Sequence, residues 1–150
     1  MKQTVATLLA LGLSLPAIAH DDATLDAMAS PHGGQVRMAG PYHYELVLGE
    51  NAVSVYLTDH ADQPVASEGV SGNAIILSGS RATIPLTPSG DNRLDGQGAF
   101  EAGPEMRAVV SLTFPDGSTW QARFTPWERT PPMTGNAAAT QRRSDGHDRH

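Results

Sequence analysis

The feature that most constrains this chain is a period-two alternation of apolar and polar side chains, repeated in short runs from Gln35 to Phe124. In "YHYELVL" Tyr42, Tyr44, Leu46 and Leu48 share one face, while His43, Glu45 and Val47 share the other. In "AVSVYLT" Val53, Val55 and Leu57 oppose Ser54, Tyr56 and Thr58. The same pattern returns in "RATIPLTP", in "MRAVVSLTF" with Met106, Ala108, Val110, Leu112 and Phe114, and in "TWQARF" with Trp120, Ala122 and Phe124 facing inward. Successive side chains of a strand leave opposite faces, so these runs read as half-buried strands. Turn chemistry separates them: "GEN" after Leu48, "DHADQP" over Asp59–Pro64, "SGDN" and "PDGS". With "QVRMA" as the first, about eight strands follow one another at spacings of roughly ten residues. No long helical period interrupts them. The expectation is an all-β domain, an immunoglobulin-like antiparallel sandwich of about 7–8 strands. A closed barrel is the competing architecture. Pro85 cannot donate to a ladder, which places its strand at an edge.

The ends divide the chain further. "MKQTVATLLALGLSLPAIA" has a positive start at Lys2, a short apolar stretch and a small-x-small site at Ala17–Ala19. This is the pattern of a secretory signal peptide over residues 1–19, and the apolar stretch is too short for an ordinary membrane-spanning helix. Residues 20–31 form a polar entry segment with a helical turn at "DATLDAM", residues 32–126 the β-sandwich domain, and residues 127–150 a tail. The tail has little apolar content and is expected to be disordered, because it cannot bury enough surface to offset its ordering entropy. An exported chain without a lipid-anchor cysteine points to the periplasm, with no membrane insertion of the mature form.

Cleavage after Ala19 removes the chain's single lysine and shifts the formal charge from −6 to −7. A basic footprint for nucleic acid is therefore missing. The chain has no cysteine. It can form neither disulfides, a thiolate nucleophile nor a Cys-type zinc knot.

The candidate chemistry lies in histidine. His20 would become the first residue of the mature chain, where its amine and imidazole can together chelate copper. His32 stands before Gly33 and Gly34, residues that permit unusual backbone angles and close approach. His43 and Glu45 are two apart on a strand and leave the same face, either as a ligand pair or as part of a solvated face. His60 follows a strand in an acidic turn with Asp59 and Asp62. Met28, Met38 and Met106 are soft donors, Met106 fitting the core pattern, and His147 and His150 lie in the tail. Nucleophile-elbow, "HExxH", phosphate-loop and dinucleotide patterns are absent, which argues for a binding protein over an enzyme.

"PHGGQV", "YHYELVL" and "VSVYLTDHADQPV" together resemble a β-module of periplasmic adaptor subunits of heavy-metal efflux systems and their stand-alone relatives. The match covers mainly residues 31–65 and is carried by His32, Gly33, Gly34, Tyr42, Glu45, Tyr56, Leu57 and Asp59. The coiled-coil hairpin and lipoyl-like parts of a full adaptor are not in the sequence. The resemblance implies a metal-handling context and an efflux component as partner. The expected function is a periplasmic metal-binding accessory protein. It would hold copper, or else zinc, through His20, His32, His43 and His60. The alternative is a non-metal protein-interaction module.

Overall fold

A computed structural model describes residues 22–27 and 30–128 of the chain. The signal-peptide segment, His20, Met28, His147 and His150 lie outside the described residues. A short helix, α1 (Asp22–Ala27), occupies the helical turn expected in the entry segment. Eight strands follow: β1 (Gln35–Ala39), β2 (Tyr42–Gly49), β3 (Ala52–Asp59), β4 (Ser71–Ser78), β5 (Ser80–Pro88), β6 (Arg93–Gln97), β7 (Arg107–Thr113) and β8 (Thr119–Phe124). All their pairings are antiparallel. The all-β expectation and its strand positions therefore hold.

An immunoglobulin-like sandwich of two sheets is more than the strand pairing shows. The strands hydrogen-bond in a single order, β1-β2-β3-β6-β5-β4-β7-β8. The strand that joins the two halves is β5, which pairs with β4 over most of its length and with β6 through Thr87 and Pro88. The sheet curls until its two edge strands approach. There the Gln35 amide donates to the carbonyls of Thr125 and Glu128, both at 3.0 Å, and its oxygen accepts from the Thr125 N–H at 2.9 Å. A side chain thus stitches the seam that backbone bonds leave open, and the result is nearly a barrel.

Pro85 lies in the part of β5 that pairs with β4 alone, opposite Asn73, before the pairing with β6 begins at Thr87. Its carbonyl oxygen lies against Gly96 of β6, leaving no room for a Cβ there, and β5 and β6 make only two residue pairs. At Pro85 the strand thus has a ladder partner on one side only, as an edge strand does.

The inward side chains of both halves meet in one core. Tyr44, Leu46, Val53, Val55 and Leu57 pack with Ala74, Ile76, Ile84, Leu86, Leu94, Val110, Leu112 and Phe124. Burial of this kind contributes about 1.5–3 kcal/mol per large side chain. Met106 belongs to the core, as its alternation indicated. Trp120 does not: it remains 37% exposed, with its indole laid over Gly40 in the β1–β2 turn. Any side chain at Gly40, whose φ is +58°, would collide with that ring.

Arg37 is an unexpected interior member. It shares the inward parity of Gln35 and Ala39, yet its guanidinium reaches Asp26 of α1 at 2.7 Å and Asp22 at 3.6 Å. With Leu25 also buried, the entry segment is docked on β1.

Candidate functional site

The face of β1, β2, β3 and β6 turned away from the core is where the nominated residues gather. Antiparallel register puts Val36, Glu45, Tyr56 and Arg93 side by side in one row across the four strands. The neighbouring row carries Met38, His43 and Thr58. Alternation alone makes this a solvated face. Instead His43 is 3% and Glu45 5% exposed, because two loops fold over it.

The first cover is the Ser30–Gly34 loop. It turns back on itself with a bond from the Gly33 N–H to the Ser30 carbonyl at 3.2 Å. Glu45 then fixes it from below. One carboxylate oxygen accepts from the backbone N–H groups of His32 (2.9 Å) and Gly34 (3.0 Å), and the other meets His32 Nδ1 at 2.8 Å. Gly34 lies so close to the Leu46 carbonyl that a Cβ there could not be placed. Gly33 has φ +76°, the left-handed region. The glycine pair is thus the local condition for lowering an imidazole onto a buried carboxylate. Charge-assisted bonds of this kind are about twice as strong as neutral ones.

The His32 ring is held on its face as well as at its edge. It stacks on Tyr56 with ring centroids 3.5 Å apart and planes inclined by 5°. Because Glu45 is acceptor-only when ionised, Nδ1 carries the proton in the neutral ring and Nε2 presents its lone pair. Among the described residues Nε2 has no hydrogen-bond partner, and the His32 side chain is 41% exposed.

Beside Tyr56 lies a polar array on β3, β6 and the loop that precedes β6. Arg93 stands directly opposite Tyr56 in the β3–β6 register, and the phenol hydroxyl together with Asp95 raises the guanidinium pKa above its ordinary value. Its Nη2 donates to Asp95 at 2.8 Å and its Nε to Ser89 at 3.1 Å, while the Ser54 hydroxyl donates to the other Asp95 oxygen at 2.7 Å. Burial works against the Asp95 carboxylate. The hydrogen bonds from Ser89 and Ser54 and the Arg93 charge more than offset it, and its pKa falls below the ordinary carboxylate range.

The second cover is the turn after β3. His60 stacks on His43 with centroids 4.8 Å apart and planes 14° from parallel. His60 Nε2 lies 3.1 Å from the Gly40 carbonyl, to which it donates. Asp62, at φ +58°, brings a carboxylate oxygen within 3.8 Å of His43 Nδ1. Stacked parallel imidazoles direct their in-plane lone pairs side by side, not toward a common point. Among the described residues no three His, Cys, Asp or Glu side chains are grouped so as to hold a metal ion.

Between the two covers is a pocket of about 200 Å³ lined by Pro31, His32, Val36, His43, Glu45, Tyr56, Thr58, Asp62 and Asn92. Of the nominated histidines, His32 and His43 share this pocket, His60 stacks against His43, and His20 is outside the described residues. The His43–Glu45 pair does not act as a unit, since Glu45 is committed to His32. Tyr56 and Asp62 are the participants that sequence reading assigned no part in a metal site. Asp62 stands two residues from His60, but Tyr56 becomes visible only through its register with Glu45.

Among the described residues no helix is long and apolar enough to cross a membrane. Comparison with known proteins finds no matching family model, no matching curated protein and no matching solved structure.

Proposed function

We propose that this chain is an exported, periplasmic metal-handling accessory protein that captures a copper ion and passes it to a component of a heavy-metal efflux system. The observation that supports this reading is the contact between His32 and Glu45. Metal-binding histidines characteristically donate their second nitrogen to a carboxylate, which fixes the tautomer and raises the basicity of the ligating nitrogen. His32 Nδ1 meets buried Glu45 at 2.8 Å, and the same carboxylate is pinned by two backbone N–H groups. The anchoring nitrogen is thereby set before any ion arrives.

His43 lines the same pocket and is the second candidate ligand within the fold. His20, with its α-amine after cleavage at Ala19, would supply further nitrogens. Imidazole and amine nitrogens suit Cu(II), while zinc is the competitor for the same donors. A sphere left incomplete by the folded domain fits capture and release better than permanent storage. No covalent chemistry is assigned to any side chain, and the protein is read as a carrier and not an enzyme.

Calorimetric titration of the mature chain tests the proposal. One Cu(II) per chain is expected, with binding abolished by His32→Ala and weakened by an extra residue placed before His20. Absence of both copper and zinc binding at micromolar concentration would remove it. The second reading, a non-metal interaction module, draws support from the want of a three-donor cluster among the described residues. In that case the pocket would receive a partner's side chain, and Glu45→Ala would abolish partner binding in a chain indifferent to metal.

A further inference from the structure

Glu45 is a buried carboxylate with little to balance its charge. It is 5% exposed, and its partners are two backbone N–H groups and the His32 imidazole. Among the described residues its one ion pair is with that imidazole, which carries charge only when protonated. Buried charges are ordinarily paired with an opposite charge. Yet no lysine or arginine stands among the described residues that line the pocket. Arg93, opposite Tyr56, gives its donors to Asp95 and Ser89. A second carboxylate, Asp62, lines the same pocket, 3.8 Å from His43 Nδ1 and so beyond hydrogen-bond distance.

The rest of the lining is rich in acceptors. Neutral His32 gives its Nδ1 proton to Glu45, which leaves Nε2 to accept. Asn92 donates through Nδ2 to the Leu57 carbonyl at 3.0 Å, which leaves Oδ1 to accept. Thr58 adds a hydroxyl, while Pro31, Val36 and Tyr56 supply apolar wall. The volume is about 200 Å³. With about 30 Å³ for each water-sized group, it holds about six heavy atoms.

We infer that this pocket is a binding site for a primary ammonium group on a short apolar stem, carried by a free alkylamine or by the lysine side chain of a partner. An ammonium has three donors and no acceptor, the complement of two carboxylates and a set of neutral acceptors. The inference does not depend on the copper reading, since no metal takes part. It goes beyond the second reading by naming the group that a partner would insert.

The test is a proton NMR titration of the metal-free mature chain at about pH 8, where an ordinary imidazole is neutral. The readout is the His32 ring, whose protons carry an upfield ring-current shift while it is stacked on Tyr56. Butylamine is expected to move these signals with a dissociation constant on the order of 1 mM, within reach of a ligand of about five heavy atoms. Butanol keeps the stem without the charge, and butyltrimethylammonium keeps the charge without the donors. Both should bind at least about tenfold more weakly. Asp62→Asn removes one charge from a side chain that is 64% exposed, and asparagine tolerates the left-handed backbone there. It should weaken butylamine about threefold, as befits an exposed carboxylate. Glu50→Gln, at an exposed position in the β2–β3 turn, should leave the affinity unchanged. A lysine tripeptide with blocked ends, set against its side-chain-acetylated form, separates the sources. Binding of the lysine peptide at least as tight as butylamine assigns the pocket to a partner's lysine, and binding of butylamine alone assigns it to a free amine.

No response to butylamine up to about 50 mM overturns the inference. Equal binding of butanol or butyltrimethylammonium also overturns it, as does an affinity that Asp62→Asn leaves unchanged. Copper binding in the calorimeter without an amine response leaves the proposed function standing. An amine response in a chain that binds neither copper nor zinc removes the proposed function and keeps the ammonium site.

Discussion

Two imidazoles lie on the same outer face, one anchored to Glu45 and the other belonging to His43, two residues earlier on β2. Their settings differ in every respect that decides chemistry. His32 arrives from a loop, rests its edge on a buried carboxylate and keeps its far nitrogen toward solvent. His43 grows from the strand itself and is 3% exposed under a second imidazole, with Asp62 beside it. Strand position supplies the face, but what folds over that face decides whether a histidine is presented or stored. The glycine pair makes the difference at the first end, since no other residue could bring the loop backbone against Leu46. At the second end a six-residue turn from Asp59 to Pro64 closes over its own strand, secured by Asp59 accepting from the Ala61 and Gln63 N–H groups.

The comparison breaks most readily at Glu45. Glu45→Ala strips partners from two backbone donors and one imidazole at once. Leaving buried donors unsatisfied costs about 1–3 kcal/mol each, and the exposed loop can recover part of that from water. A net loss of about 3 kcal/mol in urea unfolding is expected, together with loss of Cu(II) binding. If Glu45→Ala unfolds with the wild-type midpoint, the carboxylate does not hold the loop. Gly34→Ala follows in size. Its Cβ meets the Leu46 carbonyl, so the loop must lift away. A destabilisation of about 1–3 kcal/mol is expected, with the His32–Tyr56 ring-current shift lost. Substitution at Gly33, whose Cβ would meet open space, should destabilise less and only through its positive φ.

His60→Ala probes the other end. It removes a ring stack of about 0.5–1.5 kcal/mol and uncovers His43. Because the first end is built on Glu45 and Tyr56, the His32 shift and the Glu45→Ala penalty should persist unchanged. A double-mutant cycle of His60→Ala with Glu45→Ala measures this. Additivity within about 0.5 kcal/mol indicates two independent ends, and a larger coupling would make the pocket a single unit.

What the sequence discloses follows from the same contrast. Period two identifies the strands and the core face, and the buried residues from Tyr44 to Phe124 follow that pattern. Alternation says nothing of what covers the second face, so His43 and Glu45 read as solvated although both are buried. It is also blind to register. Tyr56 beside Glu45, and Arg93 beside Tyr56, are relations between strands 11 and 37 residues apart in sequence. Sheet closure depends on one glutamine at the seam, and a sandwich and a curled sheet share the same strand pattern. The signal for the loop was legible in "PHGG", but its partner stands thirteen residues on, at Glu45. Trp120 has core parity yet stays 37% exposed on the edge strand β8, its ring laid over Gly40. Arg37 at inward parity could not have been matched to Asp26 without knowing that the entry helix docks on the same strand.

The smallest effect separates the ends by pH. Asp95 belongs to the array beside Tyr56, and its pKa is lowered in the folded chain. A carboxylate with a depressed folded pKa binds fewer protons than in the unfolded chain, so its contribution to stability is complete above the unfolded value of about 3.9 and is lost as pH falls through the folded one. The side chain is 34% exposed, so screening by water limits the contribution to a few tenths of a kcal/mol. Asp95→Asn should therefore flatten the acid limb of the stability curve below about pH 4, while His60→Ala leaves that limb as it is. Urea midpoints taken from neutral pH to about pH 2.5 measure both. An acid limb that is insensitive to Asp95→Asn but altered by His60→Ala would reverse the assignment, placing the acid-sensitive ionic contact over His43 instead of beside Tyr56.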